Sequence, residues 1–219
     1  MRIAFLAKPD KPMVTGALEL LQDAFAQVDT YFGAVGDPIP AGLREKEYDL
    51  VISYISPWIV PSAVLARTKV SNVNFHPGPP EYPGIGCFNF ALYDEASEYG
   101  CTAHEMHRRV DTGPIYGVRR FAVETSETVR SLANRTYAEM FILLAELLPV
   151  LASGSAPDPL DLTWQRKPYK RTELEALSTI DPSMSREEIA RRVRATYYPG
   201  KPAPFVDVGG HRFEYNPQR

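Results

Sequence analysis

Short apolar runs, each bounded by proline, glycine or charge, set the rhythm of this chain. Arg2 to Ala7 is one such run and predicts a buried first strand. Lys8 to Lys11 is polar and proline-bearing, a loop. From Val14 to Val28 the positions Ala17, Leu18, Leu20, Leu21, Ala24 and Phe25 form a helical stripe. Thr30 to Val35 reads as a second strand, closed by Gly36-Asp37-Pro38. Tyr48 to Ile55 is nearly unbroken in its apolarity, as a strand buried on both faces is. Pro57 and Pro61 bracket a turn, Pro61 to Arg67 opens a short helix, and Val70 to Phe75 is another strand. Pro77 to Gly86 is a loop with four prolines and three glycines.

Further on, Cys87 to Ala96 reads as helix, and Cys101 to Met106 and Ile115 to Val123 as two strands. Glu127 to Leu151 is a long amphipathic helix, started by Thr125 or Ser126 and stopped by Ser153-Gly154. Ser155 to Arg171 is rich in proline and charge, a linker or an ordered arm. Ser185 then caps a helix with Glu188 three residues later, a capping box, whose apolar face is Ile189 and Val193. Phe205 to Tyr215 around Gly209-Gly210 is a β-hairpin signal. The expected fold class is α/β: a mostly parallel, Rossmann-like sheet flanked by helices, with a short C-terminal helix and β-hairpin appendage. Three segments are expected, at 1–154, 155–184 and 185–219.

Composition changes this picture little. Of 219 residues, 44% are hydrophobic and 23% charged, ordinary for a globular chain. A net charge of −3 argues against a nucleic-acid partner. No apolar stretch reaches the ~20 residues of a membrane span, and the first residues read as a strand rather than a signal peptide. Two cysteines do not make a disulfide framework, so a cytoplasmic setting is expected. Cys87, Cys101 and the four histidines show no familiar metal-ligand spacing, and no metal site is expected.

The candidate chemistry lies at strand ends. Asn74 and His76 alternate on one face, with Phe75 turned inward, at the carboxyl end of a strand, where ligands bind in such sheets. Asp111 follows 35 residues after His76. An amide, an imidazole and a carboxylate on neighbouring loops suit acyl transfer to an amine. The same residues also read as strand-end caps, and Asp111-Thr112-Gly113-Pro114 as a turn in which Gly113 supplies a positive φ. His104 reads as a hydrogen-bonded packing residue and His107 as part of a loop. Lys8 and Lys11 sit where a phosphate could be met, or are simply solvated. No dinucleotide fingerprint, Walker loop or nucleophile elbow is present, so an attacking nucleophile would come from a substrate.

Asn74-Phe75-His76-Pro77, the loop Gly78 to Gly84, and Asp111-Thr112-Gly113-Pro114-Ile115 together resemble the 10-formyltetrahydrofolate-dependent formyltransferases. Cys101-Thr102-Ala103-His104 resembles the strand before their catalytic aspartate. The likeness covers roughly residues 1 to 150; the loop after His76 is one residue shorter than is common, with Pro83 where arginine is frequent. It implies Asn74, His76 and Asp111 as catalytic residues. It implies Pro57, Trp58, Ile59 and Val60, with Val110 and Asp111, as the grip on the folate, and 10-formyltetrahydrofolate as formyl donor. Arg194 to Gly200 and the hairpin resemble the tail of sugar N-formyltransferases. An acceptor that is a nucleotide-linked amino sugar, and a homodimer, are therefore expected. Methionyl-tRNA and glycinamide ribonucleotide formyltransferases fit less well, for want of a long basic C-terminal domain and of a glycine-rich first loop. A formyltetrahydrofolate hydrolase and a non-catalytic folate binder stay open.

Overall fold

The computed structural model describes residues 1–217. The N-terminal part runs β1 (Arg2–Ala7), α1 (Val14–Ala24), β2 (Gln27–Phe32), α2 (Ala41–Glu45), β3 (Leu50–Tyr54), α3 (Ser62–Leu65) and β4 (Ser71–His76). It continues with α4 (Cys87–Tyr93), β5 (Glu98–Glu105), β6 (Ile115–Ala122) and α5 (Val129–Ala152). Then come α6 (Arg171–Ser178), α7 (Arg186–Thr196), β7 (Phe205–Val208) and β8 (His211–Glu214). Six strands form one sheet in the order β2-β1-β3-β4-β5-β6. The first four are parallel, and β5 and β6 return antiparallel at one edge. The expected α/β sheet with its C-terminal helix and hairpin is the fold that forms.

Strand parity decides what each face does. Phe5, Ile52, Tyr54, Val73, Phe75 and Ala103 pack into the main core with α1 and α5. Ala4, Leu6 and Val51 face the other way, onto Leu43 of α2 and Val64 of α3. Each fully buried apolar side chain contributes about 1.5–3 kcal/mol. That second cover lies over β1 and β3. Over β4 and β5 the same face carries Asn74, His76 and His104, and the segment after α5 crosses there instead. Leu160 N–H donates to the Ile115 carbonyl at 2.7 Å and Gln165 N–H to that of Pro80 at 3.0 Å. Tyr169 N–H donates to Pro83 at 2.9 Å and takes a bond back at its own carbonyl from Ile85.

Several expected boundaries shift. The first helix stops at Ala24 because Phe25 is already extended, with φ −127° and ψ 130°. The second strand starts early, at Gln27, where Arg2 Nε donates to Asp29 at 2.9 Å and ties it to β1. The long helix is capped by Thr128, not Thr125 or Ser126: the Thr128 hydroxyl accepts from Ser131 N and Thr128 N donates to the Ser131 hydroxyl. A serine here completes the box usually closed by Glu or Gln. Ser185 caps α7 as expected, but Glu188 turns to Arg191, Arg192 and the Tyr93 hydroxyl rather than back to the cap. The buried residues of α7 are Ala195 and Thr196, with Ile189 and Val193 only half-buried. α6 forms where no helix was expected, begun by Lys170 N–H donating to the Glu173 carboxylate at 2.7 Å. The hairpin turns through Gly209 and Gly210 at φ 59° and 80°, the signature of a primed two-residue turn. Residues 218 and 219 of the expected appendage lie outside the described residues.

Leu144 is 0% exposed on α5, whereas Ile142 is 40% exposed. Leu144→Ala is expected to lower the unfolding free energy by about 2–5 kcal/mol. Ile142→Ala should change it by no more than about 0.5 kcal/mol. Urea midpoints at constant slope check both.

Candidate active site

The antiparallel return of β5 places His104 directly opposite Asn74. A register shift between Ala103 and His104 interrupts the β5–β6 ladder there, and such bulges re-aim side chains. Beyond it the loop turns back through Asp111, which takes a left-handed conformation at φ 47°. The positive φ of this turn therefore belongs to Asp111, which tolerates it better than most residues, and not to Gly113. Gly113 is needed for a different reason: a Cβ there would lie 2.1 Å from the Glu105 carbonyl oxygen.

This folding brings an ionised carboxylate between two imidazoles. Asp111 Oδ2 lies 3.3 Å from His76 Nδ1, and Oδ1 lies 3.2 Å from His104 Nε2. Gly84 N–H donates to Oδ2 at 2.7 Å. Asp111, His76 and His104 are 6%, 5% and 2% exposed. Burial pushes the Asp111 carboxyl up, but the His76 and His104 rings and the Gly84 N–H outweigh it and hold it well below the usual carboxylate range.

The outer nitrogens are tied to carbonyls, which only accept. His76 Nε2 donates to Tyr82 O at 3.0 Å and His104 Nδ1 to Glu105 O at 2.7 Å. Asn74 completes the group: its Oδ1 accepts from the Ser53 hydroxyl at 2.7 Å, which turns Nδ2 toward His104 Nε2 at 3.0 Å. The second N–H of that amide remains available, and Asn74 is the half-buried, accessible member. His104 Nε2 thus faces a donor and a carboxylate together. A proton there suits Asp111, and a lone pair there suits Asn74.

Cys87 is near but inert, because burial pushes its thiol up to about 12. Cys101 is raised likewise, and both cysteines are free. No group of histidine, cysteine and carboxylate side chains able to hold a metal occurs among the described residues.

Two concavities are large enough to hold a ligand. An open groove of about 630 Å³ runs between α3 and the loop after β5, lined by Leu65, Asn72, Met106, Arg109 and Thr112 among others. Of the residues expected to grip a cofactor, Val110 and Ile59 are exposed at 42% and 65%, and Pro57 is half-buried. Val60 is buried in the core beneath α2 and α3. The Trp58 indole donates to the Asp37 carbonyl at 3.0 Å and lies against Gly33, so it pins the loop after β2. A second cavity, of about 500 Å³, lies between α4, α5, α6 and the hairpin. Lys11, Arg171, Lys201 and Arg212 stand in its wall with Phe88 and Tyr198. Burial, with Lys11 close by and Lys201 and Arg171 adding to it, lowers the Lys8 ammonium despite Asp10.

A sequence profile described as formyl transferase matches residues 37–148. The chain belongs to the formyl transferase family. A GDP-perosamine N-formyltransferase of Brucella melitensis biotype 1 is 31% identical over 180 residues, 82% of this chain. The chain spans 64% of that relative's length. A sugar N-formyltransferase of a Shewanella species shares the fold at TM-score 0.78 and 18% identity, over 98% of this chain and 96% of that one. WlaRD, a sugar 3N-formyl transferase whose structure was obtained in the presence of dTDP and 5-N-formyl-THF, superimposes at TM-score 0.76 and 14% identity, over 96% of this chain and 83% of that one. Among the described residues no helix is long and apolar enough to cross a membrane.

By sequence His104 takes a packing role, yet the structure puts it in the central cluster with Asp111 and Asn74. Its one sequence signal is its alternation with Thr102 on a strand that turns out to pair with β4.

The lowered Asp111 carboxyl fixes a sign. The unfolded chain binds this proton more tightly, so the ionised group stabilises the fold fully above about pH 4 and progressively less below it. Asp111→Asn is expected to be less stable than wild type at pH 7, with the gap closing as pH falls from about 4 toward 2. Urea unfolding across this range checks it, and a gap independent of pH would contradict it.

Proposed function

We propose that the chain transfers a formyl group from 10-formyltetrahydrofolate to the primary amine of a nucleotide-linked amino sugar. The observation that carries this reading is the ionised, buried Asp111 between His76 and His104, beside the half-buried amide of Asn74. The attacking group is the substrate's own amine; burial raises both cysteine thiols and makes them poor nucleophiles.

In this reading the amine nitrogen bonds to the formyl carbon and the formyl oxygen takes up negative charge. The free Asn74 N–H donates to that oxygen. His76 Nε2–H, held by the Tyr82 carbonyl, is the second donor the same oxygen competes for. Asp111 fixes the His76 ring and helps move the proton lost by the amine toward the nitrogen that leaves. Preorganised donors of this kind act strongly in a water-poor site because they need no reorganisation.

The two concavities fit the two substrates. The groove beside Asp111 offers Met106 and Leu65 as apolar walls and the polar Asn72, a combination suited to a flat, polar heterocycle. Val110, Ile59 and Pro57 border its mouth in this proposal, with Trp58 and Val60 supporting them. The other cavity gathers Lys11, Arg171 and Lys201 near Lys8, more cation than its carboxylates balance, which suits a diphosphate. Its Phe88 and Tyr198 offer rings to a base or sugar. The Brucella relative, a GDP-perosamine N-formyltransferase, supports a nucleotide sugar as acceptor. A cytoplasmic homodimer is part of the proposal, supported by two free thiols and by Val208, Phe213 and Tyr215 exposed on the hairpin.

The test follows folate deformylation by absorbance across a panel of nucleotide-linked 3- and 4-amino sugars. Amine-dependent turnover is expected with at least one member, and Asn74→Ala should slow it about 100- to 1,000-fold. Turnover without amine would mean transfer to water, and silence across the panel would count against the reading.

A further inference from the structure

The segment between α5 and α6 does more than connect them. It is stitched by its backbone to both loops that hold the central cluster: Leu160 to Ile115 behind Asp111, and Gln165 and Tyr169 to Pro80 and Pro83 after His76. At its middle one side chain meets both imidazoles and the loop after Asp111. The Trp164 indole stands nearly perpendicular to the His104 ring, at 5.0 Å and 89°, and to the His76 ring, at 5.9 Å and 73°. Its Nε1–H donates to the Gly113 carbonyl at 2.9 Å, two residues beyond Asp111.

From this arrangement we propose that Trp164 is a positioning residue for formyl transfer, a roof that holds both imidazoles at their angle to Asp111 and keeps water off them. The inference rests on the function proposed above. Each ring has a firm hydrogen bond, to Tyr82 O or Glu105 O, and a carboxylate contact on its other nitrogen, which in His104 also meets Asn74 Nδ2. Those contacts fix an axis and leave tilt about it. An edge-on aromatic contact limits that tilt. The same indole, anchored through Gly113, sets the distance from the rings to the loop that carries Asp111. Removing water also strengthens each charge contact beneath it. Nothing here requires Trp164 to touch either substrate.

The test compares wild type, Trp164→Leu and Trp164→Phe. Leucine fills much of the volume without a ring, and phenylalanine restores a ring without the N–H. For Trp164→Leu kcat is expected to fall about 10- to 100-fold, the scale of a small misplacement of reacting groups. The KM values for donor and acceptor should stay within about threefold, since uniform binding is untouched. Trp164→Phe should recover most of the lost kcat. The second readout is the imidazole N–H protons of His76 and His104 by NMR, visible only while sheltered from exchange. They should be seen in wild type and lost in Trp164→Leu, with the His107 and His211 ring carbon-bound protons unmoved. An unchanged kcat, a loss carried by KM alone, or persistence of both N–H signals in Trp164→Leu would each overturn the proposal. If wild type transfers no formyl group to any acceptor, the proposed function fails, and the N–H comparison alone then decides whether Trp164 holds the rings.

Discussion

A buried carboxylate is strongly destabilising unless several partners face it at once, and Asp111 is 6% exposed. Much of the local architecture is what satisfying that charge requires. His76 arrives from a parallel strand and His104 from an antiparallel one, so the sheet has to change direction at β5. The bulge at His104, the left-handed turn at Asp111 and the close pass of Gly113 over Glu105 bring the carboxylate between them. Gly84 supplies the last donor, and it too has no room for a side chain, since a Cβ there would lie 2.5 Å from the Tyr169 backbone. One ionised group thus dictates two strand ends, two glycines and the course of the segment that crosses above them.

The strain this involves is local. Ile55, a β-branched residue, has φ 55° where β3 ends, a conformation worth about 1–3 kcal/mol in strain. It lies one strand away from Asn74, and Ser53, two residues before it, orients the Asn74 amide. The sheet's dry core under α5 absorbs such costs, because the strands that carry the polar residues on one face carry Tyr54, Phe75 and Ala103 on the other.

Asn74 and His76 were legible because an apolar run ending at Pro77 fixes both the strand and its parity. Asp111 was legible both as a turn residue and as the carboxylate of an acyl-transfer set, and the family likeness favoured the second. His104 was not, because its importance depends on an antiparallel register between segments 30 residues apart, which no local pattern encodes. Trp164 was hidden for the same reason: its partner carbonyl lies 51 residues away, in a stretch whose prolines and charges read as a connector. The end of α1 is not legible locally, because Phe25 and Val28 continue a helical stripe while an ion pair at Asp29 draws the chain into a sheet edge. Lys8 and Lys11 were visible as loop cations, but Arg171 and Lys201, which complete the cluster, come from the far end of the chain.

In the proposed mechanism Asp111 acts through the His76 ring and not beside it. A double-mutant cycle on formyl transfer, with His76→Asn, Asp111→Asn and the pair, tests this most directly. Residues that work as a unit are strongly non-additive. The double variant is therefore expected to be about as slow as the slower single variant. Two losses that simply multiply, within the few tenths of a kcal/mol seen for independent sites, would contradict the claim and leave Asp111 as a structural charge.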